Sequence, residues 1–298
     1  MKIHIIDLGF LNEADTIAAF LIETASSPVL IETGPYSTFA HLQAGVKKIG
    51  FELEEIQHVL LSHIHLDHAG AAWAMAAKGA NIYLHPFGAK NMADPSKLME
   101  SARRIYQDQM DRLWGDMRAI PENQLKIVGN QEVISVGDVN FVAHHTPGHA
   151  SHHIAWQVDD VVFTGDVAGV AIQNGPVVAP LPPPDIDIEQ WLNSIQLLSN
   201  LKASKFYLTH FGEITEIDSH LQKLEANIWL QANWVKAHWE AGESIEEMTP
   251  AFDAYCQDDL LAKGLPKSEL LKYQAANPAW MSVAGLVRYW KKKGESVG

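Results

Sequence analysis

Residues 58–70 read His-Val-Leu-Leu-Ser-His-Ile-His-Leu-Asp-His-Ala-Gly, an apolar strand-like run that breaks into four metal-ligand side chains, His63, His65, Asp67 and His68. In an extended chain positions i, i+2 and i+4 point the same way, so His63, His65 and Asp67 are expected to face one spot. On a helix the two histidines would diverge by about two hundred degrees. His68 then opens an Ala-rich helix predicted to run to Lys78, and a turn there swings it back toward the same pocket. Burying four such groups unpaired would be costly. The stretch therefore points to a bound cation rather than to a hydrogen-bonded polar turn.

Three later strand ends supply isolated ligands of the same kind: His149 in HTPGHA, Asp166 in FTGDV and His210 in LTHFG, each beside Gly, Pro or Thr suited to a tight loop. The single cysteine, Cys256, excludes an internal disulfide and any cysteine-built zinc site, so bound metal must rest on imidazole and carboxylate. Such a donor set suits zinc, and iron or manganese nearly as well. Cys256 itself falls in a helical pattern as a small packed side chain.

Around these ligands the chain reads as two successive β-rich halves. The first holds strands in KIHIID, TIAAFLIET, PVLIET and IQHVLLSH, a helix from Phe39 to Ile49, and the strand NIYLHP after the Ala-rich helix. A helical insertion is predicted from Pro95 to Met117, with Leu98, Ile105, Met110, Leu113 and Met117 at helical spacing. The second half holds strands in LKIV, EVISV, VNFVAHHT, HHIAWQV and DVVFTGD, then the proline-rich loop VVAPLPPPDID, a helix from Ile188 to Leu201 and the strand KFYLTHF. After Phe211 the strand signal ends. Helices carrying Trp229, Trp234, Trp239, Trp280 and Trp290 follow, expected to pack as core.

With 298 residues and 47% hydrophobic content the chain can bury a large core, as one α/β domain or one domain plus an appendage. Its formal charge is −14, from 22 basic and 36 acidic residues, so nucleic acid should be repelled. The only basic run, Lys291 to Lys293, reads as the solvated last turn of a helix. The N-terminal MKIHIIDLGFLNEAD meets Asp7 before an apolar stretch reaches signal-peptide length, and no segment is apolar enough to span a bilayer. The expectation is a cytoplasmic protein acting on a small molecule, without membrane or nucleic-acid partners.

The pattern His-x-His-x-Asp-His from His63 to His68, followed in order by TPGH ending at His149, TGD ending at Asp166 and TH ending at His210, resembles the metallo-β-lactamase superfamily. The resemblance covers about residues 16 to 212. It implies an αββα four-layer sandwich at residues 1–215, with the helical insertion at about 95–118 and a C-terminal helical extension at 216–298 packed on it. It further implies a first metal on His63, His65 and His149, a second on Asp67, His68 and His210, and Asp166 bridging both. One departure is Glu32 in LIETG, where related sequences commonly carry Asp, which puts the supporting contact expected there in doubt.

The implied activity is hydrolysis of an ester, lactone, thioester or amide by a metal-bridging hydroxide, with Asp67 orienting it and two divalent ions, zinc before iron or manganese, as cofactors. The alternative is a mononuclear non-heme iron oxidoreductase of persulfide dioxygenase type, which shares the opening motif. A metal-binding module without turnover ranks below both, because all seven ligand positions are present. His144, His145, His152 and His153 flank His149, and strand alternation sends His144 and His145 to opposite faces. His85 reads as a structural histidine. Tyr36, Tyr106 and Tyr207 are each candidates for a donor to the substrate, and the sequence does not choose among them.

Overall fold

A computed structural model describes residues 1–296. Its first sheet contains β1 (Lys2–Asp7), β2 (Ala18–Glu23), β3 (Val29–Ile31), β4 (His58–Leu60), β5 (Asn81–Leu84) and β6 (Leu125–Ile127), neighbours in that order. The first three strands are antiparallel and β3 to β6 run parallel. The second sheet is ordered β12 (Gly212–Ile214), β11 (Lys205–Leu208), β10 (Val161–Gly165), β9 (Ile154–Val158), β8 (Val139–His145) and β7 (Val133–Val136), with β10 and β11 its one parallel pair.

Strand alternation builds the layers. On β2, Ala18, Phe20 and Ile22 enter the core between the sheets with Phe141, Trp156 and Phe163, while Ala19 and Leu21 face the opposite way. That outer face is covered by α1 (Phe39–Ile49), α3 (Ala72–Ala77) and their neighbours, through Leu42, Val46 and Met75. On the second sheet Val162, Phe206 and Leu208 pack outward against α7 (Ile188–Asn200), α8 (Ile217–Glu240), α9 (Ile245–Ala262) and α11 (Ala279–Ser296). The result is the expected αββα sandwich, and the C-terminal helices share the core of its outer layer. Trp229, Trp234, Trp239 and Trp290 join that core as expected, and burial pushes the Cys256 thiol up to about 12.

The insertion forms α5 (Ser96–Tyr106) and the single turn α6 (Met110–Leu113), preceded by α4 (Pro86–Ala93). Three sequence expectations need correcting. LKIV does not belong with the second half: β6 pairs with β5 and closes the first sheet. Strand structure does not end at Phe211, because β12 hairpins back on β11, Leu208 opposite Gly212. The Ala-rich helix is two pieces, α2 (Leu66–Ala69) and α3, broken at Gly70 and Ala71. No helix among the described residues is long and apolar enough to cross a membrane.

Candidate metal centre

Every predicted ligand lies just beyond a strand end or in the β8–β9 loop, on one edge of the sandwich. The parallel strands decide this, since their carboxyl ends all open on the same side. β4 leads to His63, His65, Asp67 and His68, β10 to Asp166, β11 to His210, and the β8–β9 loop carries His149. The extended-chain argument for the first cluster fails in detail. β4 stops at Leu60, His63 and His65 occupy irregular backbone, and Asp67 and His68 sit on α2. Convergence comes from the loop, which Ser62 ties to the second sheet by accepting the Ile154 N–H at 2.7 Å. Gly165 permits the approach: its φ is +51°, and a Cβ there would lie 2.6 Å from the Ser62 side chain.

The side chains gather into three overlapping groups whose ligand atoms lie within 4.8 Å of one another: His63, His65 and His149; His63, His68 and Asp166; Asp67, His68 and His210. Among them His65 Nδ1 is 2.8 Å from His63 Nε2 and 3.1 Å from His149 Nε2. Two nitrogens on one tetrahedral zinc lie about 3.3 Å apart, given Zn–N bonds of about 2.0–2.1 Å. Asp166 spans the groups, with Oδ1 3.3 Å from His68 Nε2 and Oδ2 3.3 Å from His149 Nε2. Asp67 Oδ2 is 3.3 Å from His210 Nε2.

The atoms behind the rings decide which nitrogen faces inward. A backbone carbonyl only accepts, so His149 Nδ1 donates to Pro180 O at 2.9 Å and His210 Nδ1 to Thr16 O at 2.7 Å. Each Nε2 is left to hold either a second proton or a metal. His68 Nδ1 is 3.2 Å from Glu32 Oε1, so the longer carboxylate supplies the contact that the departure from Asp put in doubt. Glu32 does so from a left-handed backbone, φ 64°, and its other oxygen accepts the Ser62 N–H at 3.4 Å. His68 Nε2, His210 Nε2 and Asp166 Oδ1 are buried without an aligned hydrogen-bond partner. Orphaned polar atoms converging on one point fit a bound cation.

Electrostatics agree. Burial would raise the carboxyls, but His68 and His210 outweigh it, holding Asp67 at about 2 and Asp166 well below the usual range. Burial would lower His68, but Asp166, Asp67 and Glu32 lift it well above the ordinary histidine value. His63 goes the other way, held far down by burial and then by His68, and His65 falls to about 4 through burial and His149. Two carboxylates and the imidazoles of His63, His65 and His149, each of these rings lowered by burial, form a donor set ready for divalent ions, while His68 and His210, raised by those carboxylates, must give up a proton to join it.

Two flanking histidines also reach the centre. His153 is fully buried, its Nδ1 paired with Thr146 Oγ1 at 2.8 Å and its Nε2 accepting the Asp166 N–H at 3.2 Å. His152 lies against His65, ring centroids 5.6 Å apart, with Asp185 at 3.9 Å from its Nε2. His144 and His145 turn away, to Gln157 and to the Val128 carbonyl. His85 caps α4, its Nδ1 accepting the Phe87 N–H. Of the tyrosines, Tyr207 bonds Glu213, Tyr36 packs between Phe39 and Trp73, and the Tyr106 hydroxyl donates to Met281 Sδ. Ser62, whose Oγ is 2.9 Å from His63 Nδ1, was missed; its place immediately before the first ligand was the only signal.

The chain is similar to known proteins. Over 256 residues the chain is 27% identical to the metallo-beta-lactamase fold-containing protein ST1585 of Sulfurisphaera tokodaii, covering 82% of this chain and 92% of that one. It is 24% identical over 221 residues to an N-acyl homoserine lactonase of Bacillus cereus, covering 66% of this chain and 80% of the lactonase. Among solved structures, the metallo-beta-lactamase family protein TTHA1429 of Thermus thermophilus superposes with a TM-score of 0.67 at 18% identity, over 98% of this chain and 94% of that one. The family model of the metallo-beta-lactamase superfamily matches residues 13–210, which takes in every ligand group of the centre, and the chain belongs to that superfamily.

Proposed function

We propose that the protein is a dinuclear metal-dependent hydrolase, zinc being the preferred ion, that cleaves an ester, lactone, thioester or amide bond of a small molecule. The observation that carries the reading is Asp166, which turns one carboxylate oxygen to His149 and the other to His68, the two sides of a ligand set too large for one ion. His63, His65 and His149 would hold the first ion, and Asp67, His68 and His210 the second. Divalent ions held there supply a water acidified from a pKa of about 15.7 toward 7 and a Lewis acid for the substrate oxygen. The chain's own contribution is orientation. Pro180, Thr16 and Glu32 fix the rings of His149, His210 and His68, and Asp67, the most exposed of these carboxylates at 21%, is placed to align the attacking water. The lactonase relative supports a carbonyl substrate, and the net charge of −14 argues against a nucleic-acid one.

An iron dioxygenase needs only a subset of these residues, two histidines and one carboxylate. That reading leaves His68 Nε2 and His210 Nε2 buried without a purpose. Elemental analysis of protein expressed with zinc and iron both available tests the choice: about two metals per chain are expected, and one tightly held iron without zinc would select the dioxygenase. A panel of thioesters, lactones, amides and esters then reads the bond, with turnover expected to vanish on chelation and to return with zinc. Full turnover in metal-stripped protein would end the proposal.

A further inference from the structure

The antiparallel ladder between β9 and β10 ends early. It pairs Val161 with Val158, Val162 with Gln157 and Phe163 with Trp156, and the same register carried three residues further would set Asp166 opposite His153. The ligand loop after β4 enters that gap. Ser62 O takes the Ile154 N–H at 2.7 Å, and a Cβ on Gly165 would lie 2.6 Å from the Ser62 side chain. Asp166, 3% exposed, therefore turns out of the sheet without a strand carbonyl for its N–H, and a buried N–H must find another acceptor.

His153, the residue before β9, supplies it from its side chain. Nε2 lies 3.2 Å from the Asp166 nitrogen and Nδ1 2.8 Å from Thr146 Oγ1. An amide N–H only donates, so Nε2 must be the bare nitrogen, and the proton sits on Nδ1, which donates to Thr146. Gly165 leaves room for this, since a Cβ there would lie 2.7 Å from His153 Nε2. The backbone carbonyl of His153 also accepts the Thr146 N–H at 3.0 Å. The residue thus touches three of the four segments that carry ligands. Its ring holds the Asp166 turn, its ring and carbonyl hold the start of the loop bearing His149, and its ring centroid lies 5.1 Å from that of His63.

We propose that His153 is a positioning residue, which sets the bridging carboxylate of Asp166 by accepting that residue's backbone N–H and is kept in the one useful tautomer by Thr146. The role deepens the dinuclear hydrolase reading and rests on it for the second ion that Asp166 completes. A ring that merely filled space would act differently: its loss would weaken both ions alike, and an acceptor in its place would restore nothing.

Three substitutions separate positioning from packing. His153→Leu removes both polar atoms, His153→Gln returns an acceptor at the reach of Nε2, and Thr146→Val frees the tautomer without touching the ring. Stepwise zinc affinities of the full-length variants are read by chelator competition, and exchange of the Asp166 amide is followed by NMR in metal-free protein. His153→Leu should weaken the second ion at least about tenfold, the usual cost of losing a group that orients a ligand, and leave the first within about twofold. The Asp166 amide should exchange at least about tenfold faster, as loss of its acceptor requires. His153→Gln should restore both readouts, and Thr146→Val should move both in the leucine direction by at least about twofold. Should the leucine variant not fold by circular dichroism, the glutamine and valine variants decide alone. Equal weakening of both ions in folded His153→Leu, a glutamine variant whose second ion is weakened tenfold or more, or unchanged readouts in Thr146→Val would overturn the role. A single zinc in the unmutated protein would sink the dinuclear reading instead, and the amide exchange then judges His153 by itself.

Discussion

Replacing Asp166 by Ala should uncouple the two halves of the centre. Its carboxylate sits 3.3 Å from His68 Nε2 on one side and from His149 Nε2 on the other. A unit charge at that distance interacts with a neighbouring charge by about 5 kcal/mol at an effective dielectric of 20, an upper scale for what is lost. A little over half of it, about 2.7 kcal/mol on the transition state, is a hundredfold in rate. The His63, His65 and His149 group does not include Asp166 and stays whole. The variant is therefore expected to fold, to keep roughly one metal after dialysis against a fixed free zinc concentration, and to lose at least about a hundredfold in turnover. Asp166→Asn preserves the shape without the charge and should behave like the Ala variant, which separates electrostatics from packing. His144→Ala, at a ring bonded to Gln157 away from the centre, should keep both metals. Unchanged metal content and turnover in an Asp166→Ala protein shown folded by circular dichroism would refute the bridging role.

Zinc addition to metal-free protein at pH 7 should release protons, because burial is outweighed at His68 by Asp166, Asp67 and Glu32 and at His210 by Asp166 and Asp67, and a ligand must surrender the proton so held. Calorimetry in buffers of different ionisation enthalpy measures it, and zero release would contradict the reasoning. The same raised pKa stabilises the metal-free fold fully below about pH 6.5 and is lost as pH rises through the folded value, so the melting temperature of metal-free protein should fall on the alkaline side while that of loaded protein does not. Glu32→Gln removes the charge behind His68 and should weaken zinc about tenfold in a chelator competition, the usual cost of losing a carboxylate that orients a histidine ligand; an unchanged affinity would make the contact passive. His85, lowered to about 4 by burial and then by His145, favours the fold fully above about pH 6.5 and progressively less as pH falls toward 4. His85→Asn keeps an acceptor at the start of α4 without a titrating ring, and its stability should fall less steeply across that interval in acid denaturation monitored by circular dichroism.

The sandwich was legible because its strands carry alternation strong enough to name both faces, as Ala18, Phe20 and Ile22 do against Ala19 and Leu21. Pairing was not. LKI is three residues long and suits either sheet, and only the parallel neighbour Ile82 to Leu84 decides for the first. GEI, opening on a glycine, has too little side chain to announce β12. The ligand positions were legible from residue type and order, yet the geometry that unites them is a loop, and an extended-strand argument reached the right residues by the wrong backbone.

What stands behind the rings is the part that residue spacing conceals. Glu32 works only from a left-handed conformation that no propensity favours for glutamate. Pro180 is different, because the segment PVVAPLPPPDID, residues 176–187, shows in its composition why it serves. Proline contributes a carbonyl but no N–H, so a proline-rich loop carries more acceptors than its own donors can satisfy. Those acceptors must be met from outside, and they are: Pro180 O takes His149 Nδ1, Pro176 O takes the Tyr273 hydroxyl and Pro184 O takes Arg288 Nε. The loop therefore ties a candidate ligand to the C-terminal helices through a single shortage of donors. The same shortage fixes His149 Nδ1 as the protonated nitrogen and leaves Nε2 for the ion.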